Sequence, residues 1–436
     1  MSATPSARDY ERLVQDLGRD VVPRAAVSWA HTVALVQHAQ HHGLLDDIPF
    51  ASSPAGTRKA LEVLADAHPA LEPLADPQVV PVWASTVSQV AWERTAEFWA
   101  RHPVTDDGPR VDGYALGDAY QALSAEARKS RALCQTPPWI ADLLLKLALE
   151  PGLEEAGPDR VRMIDPSCGT GHILMPAFHS VRAYRPCGRA AAGYVSAERS
   201  VERGLEAVCG VDLDPYAAVL ARYRLLAAAA SILGRRIDQI PASWLVQVAC
   251  ADSLLDTAEP LLRRGSYHAV VGNPPYITVA DAAVRNQIRA AYPQVATGKY
   301  SLALPFCQLM FELALPGTGR IAQLTTNSWM KREYGRRFVE EYLPAWDAQW
   351  IIDTSGCYIP GHGTPTVIML HQARRPHGDT VTVIRGNKGE PRIPDGPSQG
   401  LVWRAIEEEV HFRLALDRFR RGAEDHRRAH GTPPGP

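Results

Sequence analysis

The sequence predicts an α/β fold in which a Rossmann-like sheet follows an N-terminal helical domain. From Tyr114 to about Gln372, short apolar segments alternate with helical segments, which is typical of a doubly wound sheet. Several of these apolar segments end in turns that carry Gly, Pro, Asp or Asn. Side chains at the carboxyl ends of parallel strands line the ligand sites of such sheets, so we expect the functional residues there.

The first predicted region, residues 1–110, is a helical domain. Apolar residues recur at intervals of three and four between Ala25 and Leu45, which indicates helix. A loop at Asp106-Asp107-Gly108-Pro109 separates this region from the α/β domain predicted over residues 111–375.

The last predicted region, residues 376–436, is a short C-terminal segment. It contains one candidate strand at Thr380–Ile384 and a charged helix at Glu407–Arg420. From Arg421 onward apolar side chains are almost absent, so we expect this end of the chain to be disordered.

The amino-acid composition limits the classes of protein to which the chain can belong. The chain has 436 residues, of which 46% are hydrophobic and 22% are charged, as in ordinary soluble proteins. It shows neither a membrane-spanning apolar run nor a signal-peptide pattern, so a cytoplasmic location with no membrane partner is expected. The net charge of −2 gives no general attraction for nucleic acid, and any binding to DNA requires local basic patches.

The seven cysteines are scattered without a Cys-x-x-Cys pair and without matching histidine spacing. This pattern argues against a zinc site and against a disulfide framework, so no metal is predicted.

The first strand of the predicted sheet, Val161–Ile164, leads directly into a glycine turn before a helix that begins near His172. Gly169 and Gly171 remove β-carbons that would block the approach of a ligand to the backbone, and free amides there suit the carboxylate of a methionine moiety. A tight turn without a ligand is the competing interpretation. The candidate cofactor residues of this turn are Asp165, Pro166, Ser167, Gly169 and Gly171.

The second strand, Val208–Val211, strengthens the cofactor interpretation. Asp212 follows it at the position where a carboxylate binds a ribose diol, and Leu213 belongs to the same expected contact set. Asp214 and Pro215 are predicted to begin a helix that continues through Leu233, with Asp214 as its cap.

Two further candidates flank these turns. A third strand, Leu245–Ala249, leads to Asp252, which either binds the adenine amino group of the cofactor or is a solvated turn residue. Upstream, Thr136 is predicted to cap an apolar helix that begins at Pro137, and it is a candidate to cover the methionine end of the cofactor.

The fourth strand, Ala269–Gly272, ends in the most informative tetrapeptide of the chain, Asn273-Pro274-Pro275-Tyr276. An exocyclic adenine amine is a poor nucleophile because its lone pair is delocalised into the ring. Acceptors on the Asn273 side chain and the Pro274 carbonyl would localise that lone pair, and the consecutive prolines stiffen the turn. Tyr276 can stack on a base taken out of the duplex. The alternative interpretation is a proline-containing loop after a buried strand, without a catalytic role.

Basic and loop segments follow the tetrapeptide. The loop Ile277–Tyr300, with Arg285, Arg289 and Lys299, is expected to close over substrate. Gly361–Pro365 is predicted to form a hairpin turn near the target cleft. A second basic cluster either contacts DNA phosphates or is a solvated helix face; it comprises Lys331, Arg332, Arg336 and Arg337.

Between Tyr114 and Gln372 these motifs resemble the N6-adenine DNA methyltransferases, and among them those of phage-growth-limitation (type 2 BREX) defence systems. The resemblance rests on Gly117-Asp118-Ala119-Tyr120, Gln135-Thr136-Pro137, Gly210–Ala217, Gly272–Val279, Gly298–Leu302 and Asn327–Gly335. It implies S-adenosylmethionine as cofactor and double-stranded DNA with a flipped adenine as substrate. It also implies a bacterial host, partner proteins of a defence locus, and cofactor contacts by Asp165, Gly171, Asp212 and Asp252.

The chain departs from that family in one respect. Such proteins usually carry a large C-terminal region that recognises DNA, whereas about sixty residues follow Gln372 here. We therefore expect either that a partner supplies target recognition or that the C-terminal segment is a remnant of such a region. Two alternatives stay open: methylation of protein glutamine or RNA adenine, and a non-catalytic subunit that binds DNA or defence partners.

Overall fold

A computed structural model describes residues 5–45, 52–106, 110–124, 135–185, 195–359, 364–386 and 389–429. Within these ranges the N-terminal part is helical, as predicted. The helices of this part are α1 (Ala7–Leu17), α2 (Pro23–His41), α3 (Pro54–Asp66), α4 (Gln89–Arg101) and α5 (Tyr114–Leu123).

The remainder of the described chain forms an α/β structure around an eight-stranded sheet with the order β3-β2-β1-β4-β5-β7-β6-β8. The strands are β1 (Met163–Asp165), β2 (Val208–Asp212), β3 (Val248–Cys250), β4 (Ala269–Gly272), β5 (Arg320–Thr326), β6 (Asp347–Asp353), β7 (Thr366–Gln372) and β8 (Thr382–Arg385). The helices are α6 (Pro138–Ala156), α7 (Leu174–Ala183), α8 (Ala197–Ala207), α9 (Pro215–Leu233), α10 (Ala282–Ala291), α11 (Ala303–Leu313) and α12 (Leu401–Ala429).

Strands β3, β2, β1, β4 and β5 are parallel, and β7 runs antiparallel between β5 and β6. The chain thus follows the 3-2-1-4-5-6 order of a dinucleotide-binding sheet, with a reversed strand inserted. The predicted hairpin falls between the antiparallel neighbours β6 and β7, although residues 360–363 lie outside the described ranges. The topological switch point lies between β1 and β4, where ligands bind in open α/β sheets.

Alternate side chains of the parallel strands face two separate cores because the strand period is two residues. Met163, Ala269 and Val271 pack in a core with α6, α7 and α8. Ile164 and Val270 pack on the opposite face against residues of α10 and α11. Both faces are therefore covered, and the open edge formed by the strand ends is left for a ligand.

Helix α9 joins the N-terminal helices to the sheet. Asp214 accepts from the amides of Tyr216 and Ala217, so the predicted cap and the predicted end at Leu233 are both confirmed. This helix is apolar and long enough to cross a membrane by composition, yet 78% of the relevant window is buried in the fold.

Two histidine–tyrosine pairs tie α2 to α9. Nδ1 of His31 lies 2.7 Å from the hydroxyl of Tyr216, and Nδ1 of His38 lies 2.7 Å from the hydroxyl of Tyr223. The N-terminal helices and α9 share one apolar core, so the boundary near residue 110 separates sequence regions that pack together.

Two local predictions are wrong. Helix α6 begins at Pro138 with Pro137 as its N-cap, so the Thr136 side chain does not cap it. At the other end of the chain, α12 runs from Leu401 to Ala429, well beyond the predicted end at Arg420. Arg, Glu and Ala dominate this extension, and their high helix propensity outweighs the shortage of apolar side chains.

Candidate active site

A cavity of 590 Å³ opens at the carboxyl ends of β1, β2, β3 and β4. Its volume lies within the usual range of sites for small molecules and cofactors. Most sequence-predicted cofactor residues line it, and it brings together Thr136, Asp165, Pro166, Ser167, Gly169, Asp212, Leu213, Asp252, Asn273 and Pro275.

The glycine turn is held by internal hydrogen bonds. The Ser167 amide donates to Oδ1 of Asp165 at 3.0 Å, and the Cys168 amide donates to the Val211 carbonyl at 3.0 Å. The Gly169 amide donates to Oδ2 of Asp212 at 2.8 Å. The expectation that these amides are free for a ligand carboxylate is therefore wrong, because the strand ends already supply their acceptors.

Gly171 does not line the cavity. Its φ is +89°, which disfavours a residue with a side chain, and a β-carbon there would lie 3.2 Å from the Cβ of Ala221 on α9. The predicted contact between Gly171 and the cofactor is therefore replaced by close packing of the turn against α9.

The ends of β2 and β3 contribute carboxylates to the cavity. Asp212 also accepts the Asp214 amide through Oδ1 at 2.8 Å, so its carboxylate is held by backbone donors on both sides. Asp252 accepts the amide of Leu254 at 3.0 Å through Oδ1. The Leu213 side chain is 59% exposed, which leaves an apolar surface at the cavity edge.

Asp165 is the carboxylate with the most perturbed environment. It is buried at the end of β1, and burial raises its pKa to about 7, with the charge of Asp212 adding to the rise and hydrogen bonds from Ser167 opposing it. A β-carbon on Gly272 would lie 3.1 Å from Oδ1 of Asp165. The strand that carries the tetrapeptide therefore approaches this carboxylate closely, and a side chain at position 272 would require the carboxylate to shift by a few tenths of an ångström.

The tetrapeptide lies at the boundary of two cavities. Asn273 and Pro275 line the first cavity, whereas Tyr276 lines a second and Thr278 lines both. Pro274 lines neither cavity. The Tyr276 hydroxyl donates a hydrogen bond to Oδ1 of Asn273, so the predicted acceptor of the substrate amine is paired within the protein.

The second cavity, of 780 Å³, contains part of the predicted basic cluster. Arg336 pairs with Glu333 at 3.1 Å and Arg337 with Glu341 at 2.8 Å, so their positive charge is partly balanced. The basic residues that line this cavity are Lys299, Arg332, Arg336 and Arg337, whereas Lys331 does not line it.

The arginines of the predicted closing loop hold that loop together. Arg285 donates to the Val279 carbonyl at 2.9 Å. Arg289 donates to the Gly298 carbonyl at 2.9 Å, and its guanidinium lies over the ring of Tyr300. Their role in the structure is to order the segment between the tetrapeptide and α11.

Sequence reasoning missed the apolar wall of the first cavity. This wall comes from the loop after the tetrapeptide and from α10 and α11, and no local motif marks it. Its residues are Ile277, Val279, Ala280, Val284, Ile288, Leu302 and Phe306.

A buried arginine behind the glycine turn was also missed. Arg224 is fully buried on α9 and donates to the carbonyl of Thr170 at 2.6 Å and to that of Asp112 at 2.7 Å. Its guanidinium lies 3.2 Å from Nδ1 of His172, a residue of the cavity wall. Burial, followed by the charge of Arg224, lowers the pKa of His172 to about 4, so this imidazole is neutral at physiological pH.

The sheet order, the strand-end carboxylates and the cavity at the switch point define a Rossmann-like α/β fold with a ligand site, and the comparisons with known proteins point to methyltransferases. The Eco57I restriction-modification methylase family model matches residues 206–357. The chain is a homologue of the adenine-specific methyltransferase PglX of Streptomyces coelicolor, with 35% identity over 89% of this chain and 38% of PglX. It is also 28% identical to the type II methyltransferase M.PaeR7I of Pseudomonas aeruginosa over 65% of this chain and 50% of that protein. The chain thus spans half or less of these relatives.

Solved structures agree on the fold. The type IIL restriction-modification enzyme MmeI in complex with DNA superposes with a TM-score of 0.59 at 13% identity, covering 90% of this chain and 60% of MmeI. A modification subunit of a type I restriction enzyme from Vibrio vulnificus YJ016 superposes with a TM-score of 0.54 at 14% identity, covering 95% of this chain and 91% of that subunit.

Proposed function

We propose that this chain transfers a methyl group from S-adenosylmethionine to the exocyclic amine of a flipped adenine in double-stranded DNA. The observation that carries the proposal is the position of Asn273 and Pro275 at the end of β4, on the wall of a cavity that also contains three strand-end carboxylates. These carboxylates are Asp165, Asp212 and Asp252.

The cavity fits the proposed cofactor. Asp212 and Asp252 offer acceptors to a ribose diol and to an amino group, and exposed Leu213 with the opposite apolar wall offers surfaces for a planar heterocycle. Asp165 offers a carboxylate that a cationic ligand would keep ionised. When bound, S-adenosylmethionine would supply an electrophilic methyl group on its sulfonium.

The proposed role of the tetrapeptide is to make the exocyclic amine of adenine more nucleophilic. Oδ1 of Asn273, on the wall of the first cavity, accepts one amine hydrogen, and the carbonyl of Pro274, which lines neither cavity, is proposed to accept the other once the base has entered. These two acceptors localise the nitrogen lone pair toward the electrophile. The Tyr276 hydroxyl leaves Asn273 when the base enters, and its ring stacks on the flipped adenine. No strong base is needed, because the amine loses its proton to solvent after it has been methylated.

The second cavity supports DNA as the substrate. It lies beside Tyr276, and its four basic side chains outnumber its three glutamates, with Lys299 and Arg332 as the basic residues proposed to contact phosphates. The proposed biological role is to mark host DNA in a phage-defence system together with other proteins of the locus; the resemblance of the sequence motifs supports it, and the matched family model is that of a restriction-modification methylase.

The direct test is incubation of the purified chain with labelled S-adenosylmethionine and unmodified bacterial DNA, followed by digestion to nucleosides. We expect label in N6-methyl-2′-deoxyadenosine, the nucleoside that methylated DNA releases. Asn273→Ala should lower kcat by about 10²- to 10³-fold, as loss of one preorganised hydrogen-bonding group does elsewhere. Asn286→Ala is the matched control, because Asn286 is exposed on α10 outside both cavities, and this variant should keep wild-type activity.

Other outcomes would redirect the proposal. Label in RNA or in protein glutamine, with none in DNA, would move the chain to another class of amine or amide methyltransferase. Cofactor binding without transfer to any substrate would contradict autonomous catalysis. Methylation restored by a co-purifying partner would then define a partner-dependent subunit.

A further inference from the structure

Three metal-binding side chains meet far from the active site, at the C-terminal end of α2. His38 is fully buried on this helix, and His42 follows one turn later. Asp106, from the segment before α5, completes the group. Their ligand atoms lie within 4.8 Å of one another. We propose that His38, His42 and Asp106 form a binding site for a zinc-class divalent ion, which revises the prediction of no metal site.

The distances suit a shared ion. Oδ2 of Asp106 lies 3.2 Å from Nε2 of His38 and 3.9 Å from Nε2 of His42. Neighbouring ligand atoms around a tetrahedral zinc ion are roughly 3.4 Å apart, since each lies about 2.0–2.1 Å from the metal. The two separations from Asp106 are therefore within about half an ångström of that spacing, and all three ligand atoms lie within 4.8 Å of one another.

The surrounding groups orient the ligands as in known metal sites. Metal-binding histidines usually engage a hydrogen-bond partner through their other ring nitrogen. Nδ1 of His38 meets the hydroxyl of the buried Tyr223 at 2.7 Å. The Asp106 carboxylate accepts the Gly113 amide at 2.9 Å, which fixes its direction. The Asp106 amide donates to Nε2 of His42 at 3.3 Å, so this nitrogen is an unprotonated acceptor, and a metal ion bound there takes the place of the amide hydrogen.

The site is also accessible. The side chains of His42 and Asp106 are 10% and 11% exposed, which leaves a path from solvent to an otherwise buried group. Two neutral imidazoles and one carboxylate are borderline ligands that favour zinc over magnesium or calcium. A bound ion would fasten the end of α2 to the segment before α5 and, through Tyr223, to α9.

The test measures binding of Zn²⁺ to the full-length chain after treatment with a chelator. We expect one equivalent of Zn²⁺ after dialysis and a thermal midpoint that rises on addition of Zn²⁺. Co²⁺ should give visible d–d absorption of a tetrahedral site with nitrogen and oxygen ligands. The adjacent, exposed His41 provides the matched control, and His41→Ala should behave as wild type.

The variants separate ligation from folding. His42→Ala should weaken Zn²⁺ binding at least about tenfold and abolish the Zn²⁺-dependent rise in thermal midpoint. Tyr223→Phe keeps all three ligands and should weaken binding about 10- to 100-fold by freeing His38. If His42→Ala fails to fold, Asp106→Asn provides the same comparison. Absence of bound Zn²⁺ in the wild type, or equal binding by His41→Ala and His42→Ala, would overturn the proposal, whether or not the chain methylates DNA.

Discussion

The contact between α5 and the glycine turn provides a sharp test of how the proposed cofactor site is supported. Gly117 lies on α5 against buried side chains of the turn and of α9. A β-carbon at this position would lie 2.6 Å from Cε1 of His172, 2.7 Å from Oγ1 of Thr170 and 3.0 Å from Nη1 of Arg224. Because Arg224 and Thr170 are completely buried, their side chains have little room to retreat.

Two effects of Gly117→Ala oppose each other. Alanine in a helix is favoured over glycine by about 0.5–1 kcal/mol. Overpacking of a well-packed region costs about 1–3 kcal/mol, and three simultaneous close contacts place this site in the upper half of that range. We therefore expect a net loss of about 1–2.5 kcal/mol in the free energy of unfolding. Displacement of His172 and Thr170 should also weaken cofactor binding about tenfold, which corresponds to about 1.4 kcal/mol.

The assay is urea unfolding combined with calorimetric titration of S-adenosylmethionine. Gly152→Ala on α6 is the matched control, because its β-carbon would lie 3.4 Å from the Cβ of His268, which is close to ordinary contact. This control should be as stable as the wild type or more stable, with unchanged affinity. A Gly117→Ala variant that matches Gly152→Ala in stability and in cofactor affinity would refute the packing argument.

Two further predictions concern the site itself. Tyr276→Phe removes the hydroxyl that occupies Oδ1 of Asn273 but keeps the stacking ring, so KM for DNA in steady-state methylation should fall about two- to tenfold. Tyr276→Ala also removes the ring and should raise KM for DNA. A higher KM for Tyr276→Phe would argue against competition between the Tyr276 hydroxyl and the substrate amine for Asn273. Because burial raises the pKa of Asp165 to about 7, its carboxyl is mostly protonated at about pH 6 and ionised at about pH 8. A cationic cofactor favours the ionised form of Asp165, so the affinity for S-adenosylmethionine should rise from about pH 6 to about pH 8. Calorimetric titration in this interval should also show that binding releases a proton. Asp165→Asn should abolish both effects.

The sequence predicted the parts of the site that depend on strand ends. Asp165, Asp212 and Asn273 each follow an apolar strand, and parallel pairing brings such positions to one edge regardless of what lies between them. Gly171 could not be assigned in the same way. The space beside it is limited by α9, because a β-carbon on Gly171 would lie 3.2 Å from the Cβ of Ala221, and local sequence does not encode the approach of that helix.

Long-range contacts explain the other misses. The apolar wall formed by residues such as Val284 and Phe306 depends on how α10 and α11 pack across the sheet edge. The pairing of Tyr276 with Asn273 depends on the path of the turn. Arg224 lies in an apolar helix, where its role becomes visible only when the glycine turn and α5 are placed around it.

The two halves of the proposed site are positioned by the same pair of strands. Ile164 of β1 lies in register with Val270 of β4, and Gly272 brings β4 to within close contact of Asp165. Asp165 and Asn273, the residues proposed to face the cofactor and the substrate amine, both line the first cavity and are held relative to each other by this backbone pairing. The loop after the tetrapeptide lies outside this strand pairing and borders both cavities through Thr278, whereas Tyr276 lines the second cavity. Recognition of different substrates can thus change through that loop without disturbing the alignment needed for in-line transfer.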